Sequence, residues 1–572
     1  MTEGASPNPA NARWRLVFCG LTVLLAAFTY FFGLDSDHIP KNGDEFVYEH
    51  ITRLTAANGK LLPLQSELAE MRNTKPPLLF WQGIASSDWG RKWTLWDLRW
   101  PSVIYTLLTA GLVGLLARRL SGSVGTGFIA ALAFLAFFST YRYGRPFLTD
   151  GPLTFWLFVP FFALLYWRPA SFESRWLMPL LLGVATGLGL LYKSFALLLP
   201  VGLGLAWWYL RQRNYRVTTF VARDSLKLAV VAVVSLGLFS LWFALDPDPR
   251  AVFREFVLKE NAGKFDNRGG GYLQNFFWGG SSIWRLVVSY PLNAGLLVFP
   301  VTALFYVAWK RRHELSEGEI LLWLWIITLF VVFALPSQRD ERYLLPGMPA
   351  LAVLCALNWE RISRHAFNAT VITGALLASA LGYLCAQLDR GVPGEGLYPA
   401  GFWLLIAVTV VLAPAGLIWK SFARPAAGAS AILVLLGLAA FFRPLDNSIG
   451  IYPVEVQQLA QGREVGVPVN FNAKEEGYRF FLPGADVRGY QFDPALTVDD
   501  LGPRFQIFAM RLPMSAPDPE GVNILGRRVD IGSRHSPAQI MEILRGNVFE
   551  HLFLKELLIE STMTNAPSAP SQ

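Results

Sequence analysis

Long apolar stretches alternate with short, positively charged joints over most of the chain. Segments near 14–34, 100–118, 124–141, 150–167, 176–192, 194–210 and 224–245 each approach the length needed to cross a bilayer. Further segments lie near 288–309, 319–336, 343–359, 368–386, 400–419 and 428–443. This pattern predicts an all-α polytopic membrane protein of about thirteen transmembrane helices over residues 1–443. Two long polar interruptions break the rhythm, at 35–99 and 246–287. The first holds short amphipathic stretches such as 46–54 and a run of tryptophans, and reads as helices lying in the membrane interface. From residue 444 the apolar runs shorten, at 465–471, 505–510 and 528–531, with a helical pattern over 537–544. Residues 444–572 therefore predict a small soluble α/β domain, ending in a disordered Asn-Ala-Pro-Ser-Ala-Pro-Ser-Gln tail.

The joints carry orientation. Arg118-Arg119, Arg168 with Arg175, Arg211 with Arg213 and Arg216, Lys310-Arg311-Arg312, Arg361 with Arg364, and Lys420 with Arg424 all fall in loops of one parity. Positive charge stays in the cytoplasm, so the two long loops and the C-terminal domain are expected on the opposite, periplasmic face of a bacterial inner membrane. Composition agrees with a membrane protein: 53% of the 572 residues are hydrophobic and 16% are charged. Mean hydropathy is +0.36. The formal charge of +8 is scattered through the short loops, which excludes a nucleic-acid partner in favour of membrane lipids. Cys19, Cys355 and Cys385 lie in apolar segments and offer neither a disulfide framework nor metal spacing. Residues 14–34 are too long for a cleavable signal core and are expected to remain as the first helix.

Ionisable residues concentrate on the outer face. Asp44-Glu45 stands about ten residues beyond the first span, where an interfacial helix should begin. Asp44 reads as a helix N-cap, as a general base, or as both. Lys75, before Pro76-Pro77, reads either as a snorkelling lysine or as a phosphate ligand held by rigid prolines. Arg142 and Arg145 lie on the side where arginine is disfavoured and call for partners; Asp150, nearby, is a helix cap, a counter-ion or a ligand for substrate or metal. Lys193 separates two apolar segments, where a charge is costly and needs a wet cavity or a helix joint. Arg339 and Arg342, followed by Tyr343, form an outer basic cluster whose bland alternative is a salt-bridged loop. Lys259, Asn261 and Lys264-Phe265 add to it from the second long loop. There is no Gly-x-x-x-x-Gly-Lys phosphate loop, and His38 and His50 are too widely spaced to name a metal site.

The order of these landmarks resembles the GT-C membrane glycosyltransferases. An acidic pair follows the first span, then come Lys-Pro-Pro, Arg…Thr-Asp, Gly-Leu-Gly-Leu-Leu-Tyr-Lys-Ser and Gln-Arg…Arg-Tyr-Leu-Leu-Pro. The likeness is greatest to the branch holding the aminoarabinose transferases and the protein O-mannosyltransferases. It implies transfer of a sugar from a polyprenyl (undecaprenyl) monophosphate carrier to an envelope acceptor, whether lipid, glycan or protein, with inversion. It implies Asp44 as catalytic base, with Glu45, Lys75, Arg142, Arg145, Asp150, Lys193, Lys264, Arg339, Arg342 and Tyr343 on the substrates. Two departures stand out. Thr74 replaces the acid that precedes Lys-Pro in aminoarabinose transferases, and Lys264 replaces the arginine of their Arg-Phe motif, whose nearby histidine is missing. They weigh against that relative's metal site and against lipid A as acceptor; no cofactor is implied, while a divalent metal stays open. The rival reading is a lipid-linked sugar flippase, expected to carry inverted halves and polar residues at mid-membrane depth.

Overall fold

The computed structural model describes residues 9–38, 43–265, 271–392, 396–531 and 535–561. Each of the thirteen apolar stretches falls on helix. Among the described residues, six helices are long and apolar enough to cross a membrane unaided: Leu95–Ser121, Ser225–Leu245, Glu317–Ala334, Arg364–Gly391, Ala400–Ile418 and Ala423–Ile449. The Val124–Ala136 and Phe138–Gly144 helices make a seventh if their 63° bend is read as one broken span. Shorter apolar helices, including Asp150–Tyr166 and Leu177–Leu190, complete the bundle. The thirteen expected spans thus divide into full-length crossings and shorter or broken pieces. The reason is local: extended backbone at Phe137 ends the helix before it. Elsewhere, 3₁₀ turns at Phe195–Leu197 and Glu341–Gly347 lead into the helices that follow them. Irregular backbone of this kind survives at membrane depth only where protein or a cavity surrounds it.

The bend is closely fitted. A Cβ on Gly144 would lie 2.6 Å from the Thr106 hydroxyl. That hydroxyl donates to the Gly144 carbonyl at 2.9 Å, occupying a group that the broken helix leaves over. In the first outer loop the interfacial stretch expected over 46–54 extends to a helix over Gly43–Ala57. Pro76-Pro77 lead into a second helix, Leu78–Ser86. The second outer loop is short helical turns, among them a π-helical stretch at Phe253–Asn261.

The C-terminal domain has a five-stranded sheet of order β2-β1-β3-β5-β4. Its strands are β1 (Glu464–Val469), β2 (Asp486–Gln491), β3 (Ile507–Pro513), β4 (Asn523–Ile531) and β5 (Phe553–Glu560). β1 pairs in parallel with β2 and β3, while β5 runs antiparallel to β3 and β4. Glu556 on β5 is fully buried and accepts from Arg528 (2.7 Å), Arg511 (2.9 Å), Tyr452 (2.8 Å) and Tyr478 (2.6 Å). The expected disordered tail lies outside the described residues.

Two joints tie this domain to the rest. One is a shared apolar core of Leu381, Cys385, Leu388 and Phe402 with Val529, Val548 and Phe553. The other is ionic. Glu476, fully buried, accepts from His50 Nδ1 at 2.9 Å and from Arg53 Nε and Nη2 at 2.9 and 2.7 Å. The Glu67 backbone N–H donates to His50 Nε2, so the imidazole proton sits on Nδ1, facing Glu476. Phe471 lies against Gly43, where a Cβ would meet its ring at 2.8 Å.

Burial opposes ionisation of Glu476 and Glu556, but their cationic and hydroxyl partners outweigh it and hold both carboxyls down to about 2. A carboxylate depressed in the folded state contributes stability above its unfolded value, and that contribution disappears as pH falls through the folded one. We expect tertiary structure in the C-terminal domain to be retained at pH 5 and lost between about pH 4 and 2. Near-ultraviolet circular dichroism of the protein in nanodiscs, with Glu556→Gln already weakened at pH 7, checks this.

Candidate active site

Asp44 occupies the first turn of the Gly43–Ala57 helix, where the positive end of the helix dipole favours a carboxylate. Its side chain is 46% exposed, and its Oδ2 accepts from Arg342 Nη1 at 2.6 Å. Arg342 belongs to the Glu341–Gly347 turn, whose start is fixed by the Asp340 carboxylate accepting the Arg342 backbone N–H at 2.9 Å. The other edge of the same guanidinium grips Asp150, with Nε to Oδ2 at 2.8 Å and Nη2 on that oxygen as well. Asp150 opens its helix and is buried. Its second oxygen accepts from Lys193 Nζ at 3.0 Å. Lys193 sits in the break after the Leu177–Leu190 helix, so its charge ends at a joint and is paired there. The result is a continuous file of alternating charge: Asp44, Arg342, Asp150, Lys193.

A second group lies beside it. Glu260 accepts from Lys75 at 2.6 Å and from Lys264 at 3.3 Å. Tyr343 stands between the two groups, with Lys193 Nζ 5.7 Å and Lys264 Nζ 5.8 Å from its ring centre. Burial pulls the Lys75 ammonium below the ordinary lysine value, against the opposing pull of Glu260. Burial also opposes charge on Glu260, yet Lys75 and Lys264 together keep its carboxyl below the usual range. Four cations thus face three carboxylates, leaving the assembly one unit positive. Lys193, Lys264 and Tyr343 line the mouth of a cavity of about 860 Å³ whose walls include Leu203, Leu236 and Phe333.

Other candidate residues have different surroundings. Glu45, expected on substrate, is turned inward: Arg99 donates to its two oxygens at 2.7 and 3.0 Å, and the Phe147 N–H to one of them at 2.8 Å. Arg145, also expected on substrate, gives its guanidinium to the carbonyls of Tyr30 and Phe32 and to the Tyr141 hydroxyl. Arg339 is buried and donates to the carbonyls of Ala334 and Ser281, over the Phe276 ring. These three side chains hold loops together. Sequence shows a charge but not which partners consume it: Arg339 is taken up by backbone carbonyls, and Arg342 by the carboxylates of Asp44 and Asp150. Arg142 is exposed, and it shares the Tyr143 ring with Arg342, each 5.2 Å from its centre. Lys259 pairs with Glu70 at 3.0 Å at the surface, and Asn261 accepts from Ser194 at 2.6 Å.

Sequence reasoning missed Glu260, Tyr143 and Arg99. Glu260 lies next to Asn261 in the polar second loop, and only its pairing with Lys75 and Lys264 gives it weight. Among the described residues no three His, Cys, Asp or Glu side chains gather as a metal site. Asp44 and Asp150 share the Arg342 guanidinium.

The matching family model is the dolichyl-phosphate-mannose-protein mannosyltransferase family, over residues 42–252. That segment holds Asp44, Lys75, Asp150 and Lys193. The undecaprenyl phosphate-alpha-4-amino-4-deoxy-L-arabinose arabinosyl transferase 2 of Proteus mirabilis is 27% identical over 412 residues, covering 68% of this chain and 69% of that protein. Its counterpart from Pseudomonas fluorescens is 26% identical over 451 residues, covering 75% and 76%. The crystal structure of ArnT from Cupriavidus metallidurans bound to undecaprenyl phosphate superposes with a TM-score of 0.60 at 18% identity. That superposition covers 94% of this chain and 97% of ArnT. The chain is a membrane glycosyltransferase of the GT-C fold.

Glu45 of the buried Glu45–Arg99 pair lies next to Asp44 in the chain. Glu45→Ala would leave Arg99 buried without its counter-charge, at a cost of about 3–5 kcal/mol. A lowered unfolding temperature of the detergent-solubilised protein, with the carboxylate-retaining Glu45→Asp losing less, is the expected result.

Proposed function

We propose that the transferase moves a sugar from a polyprenyl monophosphate carrier to a hydroxyl-bearing envelope acceptor, with Asp44 as general base. The observation that carries this reading is the junction of two environments. An apolar cavity of about 860 Å³ is lined by Lys193 and Lys264, and Lys75 joins Lys264 through Glu260. An amphiphilic anion fits that junction, with its phosphate on the lysines and its hydrocarbon in the cavity. The relatives named above carry undecaprenyl phosphate in their own names, which supports the carrier; Thr74 and Lys264 weigh against assuming lipid A as acceptor.

The reaction follows from the order of charges. The acceptor oxygen attacks the anomeric carbon, its proton passes to Asp44, and the bond from that carbon to the phosphate oxygen breaks. The leaving lipid phosphate gains negative charge, which Lys193, Lys264 and Lys75 stabilise in a site partly closed to water. Arg342 holds the Asp44 carboxylate beside Asp150, which orients it for this role. Attack opposite the leaving group inverts the anomeric centre. The Lys and Arg bias of one set of loops supports a periplasmic location for this event. A flippase is not favoured, since the ionisable residues gather at one end of the cavity and the similar proteins are transferases.

Turnover of radiolabelled polyprenyl-phosphate sugars in nanodiscs tests the reading. Asp44→Asn should lower kcat about 10²–10⁴-fold while the affinity for donor lipid stays within about twofold. Unchanged turnover in that variant would remove the base assignment, and loss of donor binding would make Asp44 a scaffold residue. Donor affinity should also fall on the alkaline side at a pH below the ordinary lysine value of about 10.4, because burial lowers Lys75 and the ammonium is the binding form. In Lys75→Arg that alkaline limb should move to higher pH, as measured by lipid-phosphate binding across pH.

A further inference from the structure

The C-terminal domain carries a helix whose apolar side has no protein partner. Pro537–Arg545 is capped by Ser536 through a reciprocal bond with Gln539 and ends at left-handed Gly546. Pro537, Ile540, Met541 and Leu544 recur at i, i+3, i+4 and i+7, the spacing of one helical face. All four are exposed, the last three at 47%, 51% and 60%. The side facing inward is already satisfied: Ile543 joins the shared core with Val529 and Phe553. An apolar stripe of this kind on a soluble domain is not left to water without a use.

Its position identifies the partner. The Leu544 carbonyl accepts from the hydroxyl of Tyr383 at 3.2 Å, and Tyr383 lies on the membrane-crossing Arg364–Gly391 helix. Gly546 packs against Gln387, one turn further along the same helix. Tyr383 is eight residues before Gly391, so the contact lies about 12 Å below the end of that helix. The 28-residue helix is about 42 Å long, against about 30 Å of hydrocarbon. Centred in a bilayer, it therefore has Tyr383 near the hydrocarbon boundary. The stripe continues the exposed apolar surface of the same helix, where Leu376 and Leu377 are 66% and 48% exposed.

We infer that the Pro537–Arg545 helix is a membrane-interface anchor, lying in the outer leaflet with Ile540, Met541 and Leu544 among the acyl chains. Glu542, held by Arg545 and Asn547, stays on the polar side. The sheet domain is thereby fixed at three places: the shared core, the Glu476 joint and the lipid surface. This geometry is independent of which sugar or acceptor the transferase uses.

Site-directed spin labelling tests the inference on the full-length protein in nanodiscs of phosphatidylethanolamine and phosphatidylglycerol. The native cysteines Cys19, Cys355 and Cys385 are buried, so labels go to introduced sites. Nitroxides at Ile540→Cys, Met541→Cys and Leu544→Cys are compared with Leu376→Cys as lipid reference and Asp499→Cys as water reference. The ratio of relaxation by oxygen to relaxation by a water-soluble nickel chelate should match Leu376→Cys and exceed that of Asp499→Cys several-fold. Ratios equal to Asp499→Cys would overturn the anchor. Spin–spin broadening that disappears on dilution with unlabelled protein would also overturn it, by assigning the stripe to a second copy of the chain.

Discussion

One guanidinium holds the reactive end of this protein together. Arg342 bridges Asp44, 298 residues before it, and Asp150, 192 residues before it. Three elements with no local reason to meet thus converge: an interfacial helix, the start of a buried helix and a 3₁₀ turn. The cost of burying such a group is offset only because both edges of its planar fork find carboxylates. Lysine could not do this, since a single ammonium would serve one carboxylate at a time and leave the other unoriented.

The charge pattern around that bridge explains how so many ions are accommodated together. Each one ends at a discontinuity: Arg342 in a turn, Asp150 at a helix start, Lys193 in a helix break. Each meets an opposite charge within 3.0 Å. Pairing leaves one unit of positive charge over the site, directed at the mouth of an apolar cavity.

The C-terminal domain takes part in this geometry. Glu476 pins the middle of the helix whose first turn presents Asp44, and Phe471 closes on Gly43 just before it. Its own sheet centres on another buried carboxylate, Glu556, saturated by two arginines and two tyrosines. The domain and the first outer loop are therefore better regarded as one structural unit resting on the membrane bundle.

The membrane class, the positions of the apolar segments and the presence of a terminal α/β domain were legible in the sequence. They depend on local properties: hydropathy over about twenty residues, charge in the joints and a change of period after residue 444. The order of the charged landmarks drew attention to Asp44, Glu45, Lys75, Arg142, Arg145, Asp150, Lys193, Lys264, Arg339, Arg342 and Tyr343 without saying how they pair. Which charges meet was decided only by tertiary structure. Glu45 and Asp44 are neighbours in sequence, yet about 100° of helical rotation sends one to Arg99 in the core and the other to the cavity side. Arg339 and Arg342 are three residues apart, and backbone carbonyls consume one while carboxylates orient the other. A sequence lists charges, but a charge acquires its role from the partners that long-range packing brings within about 3 Å of it.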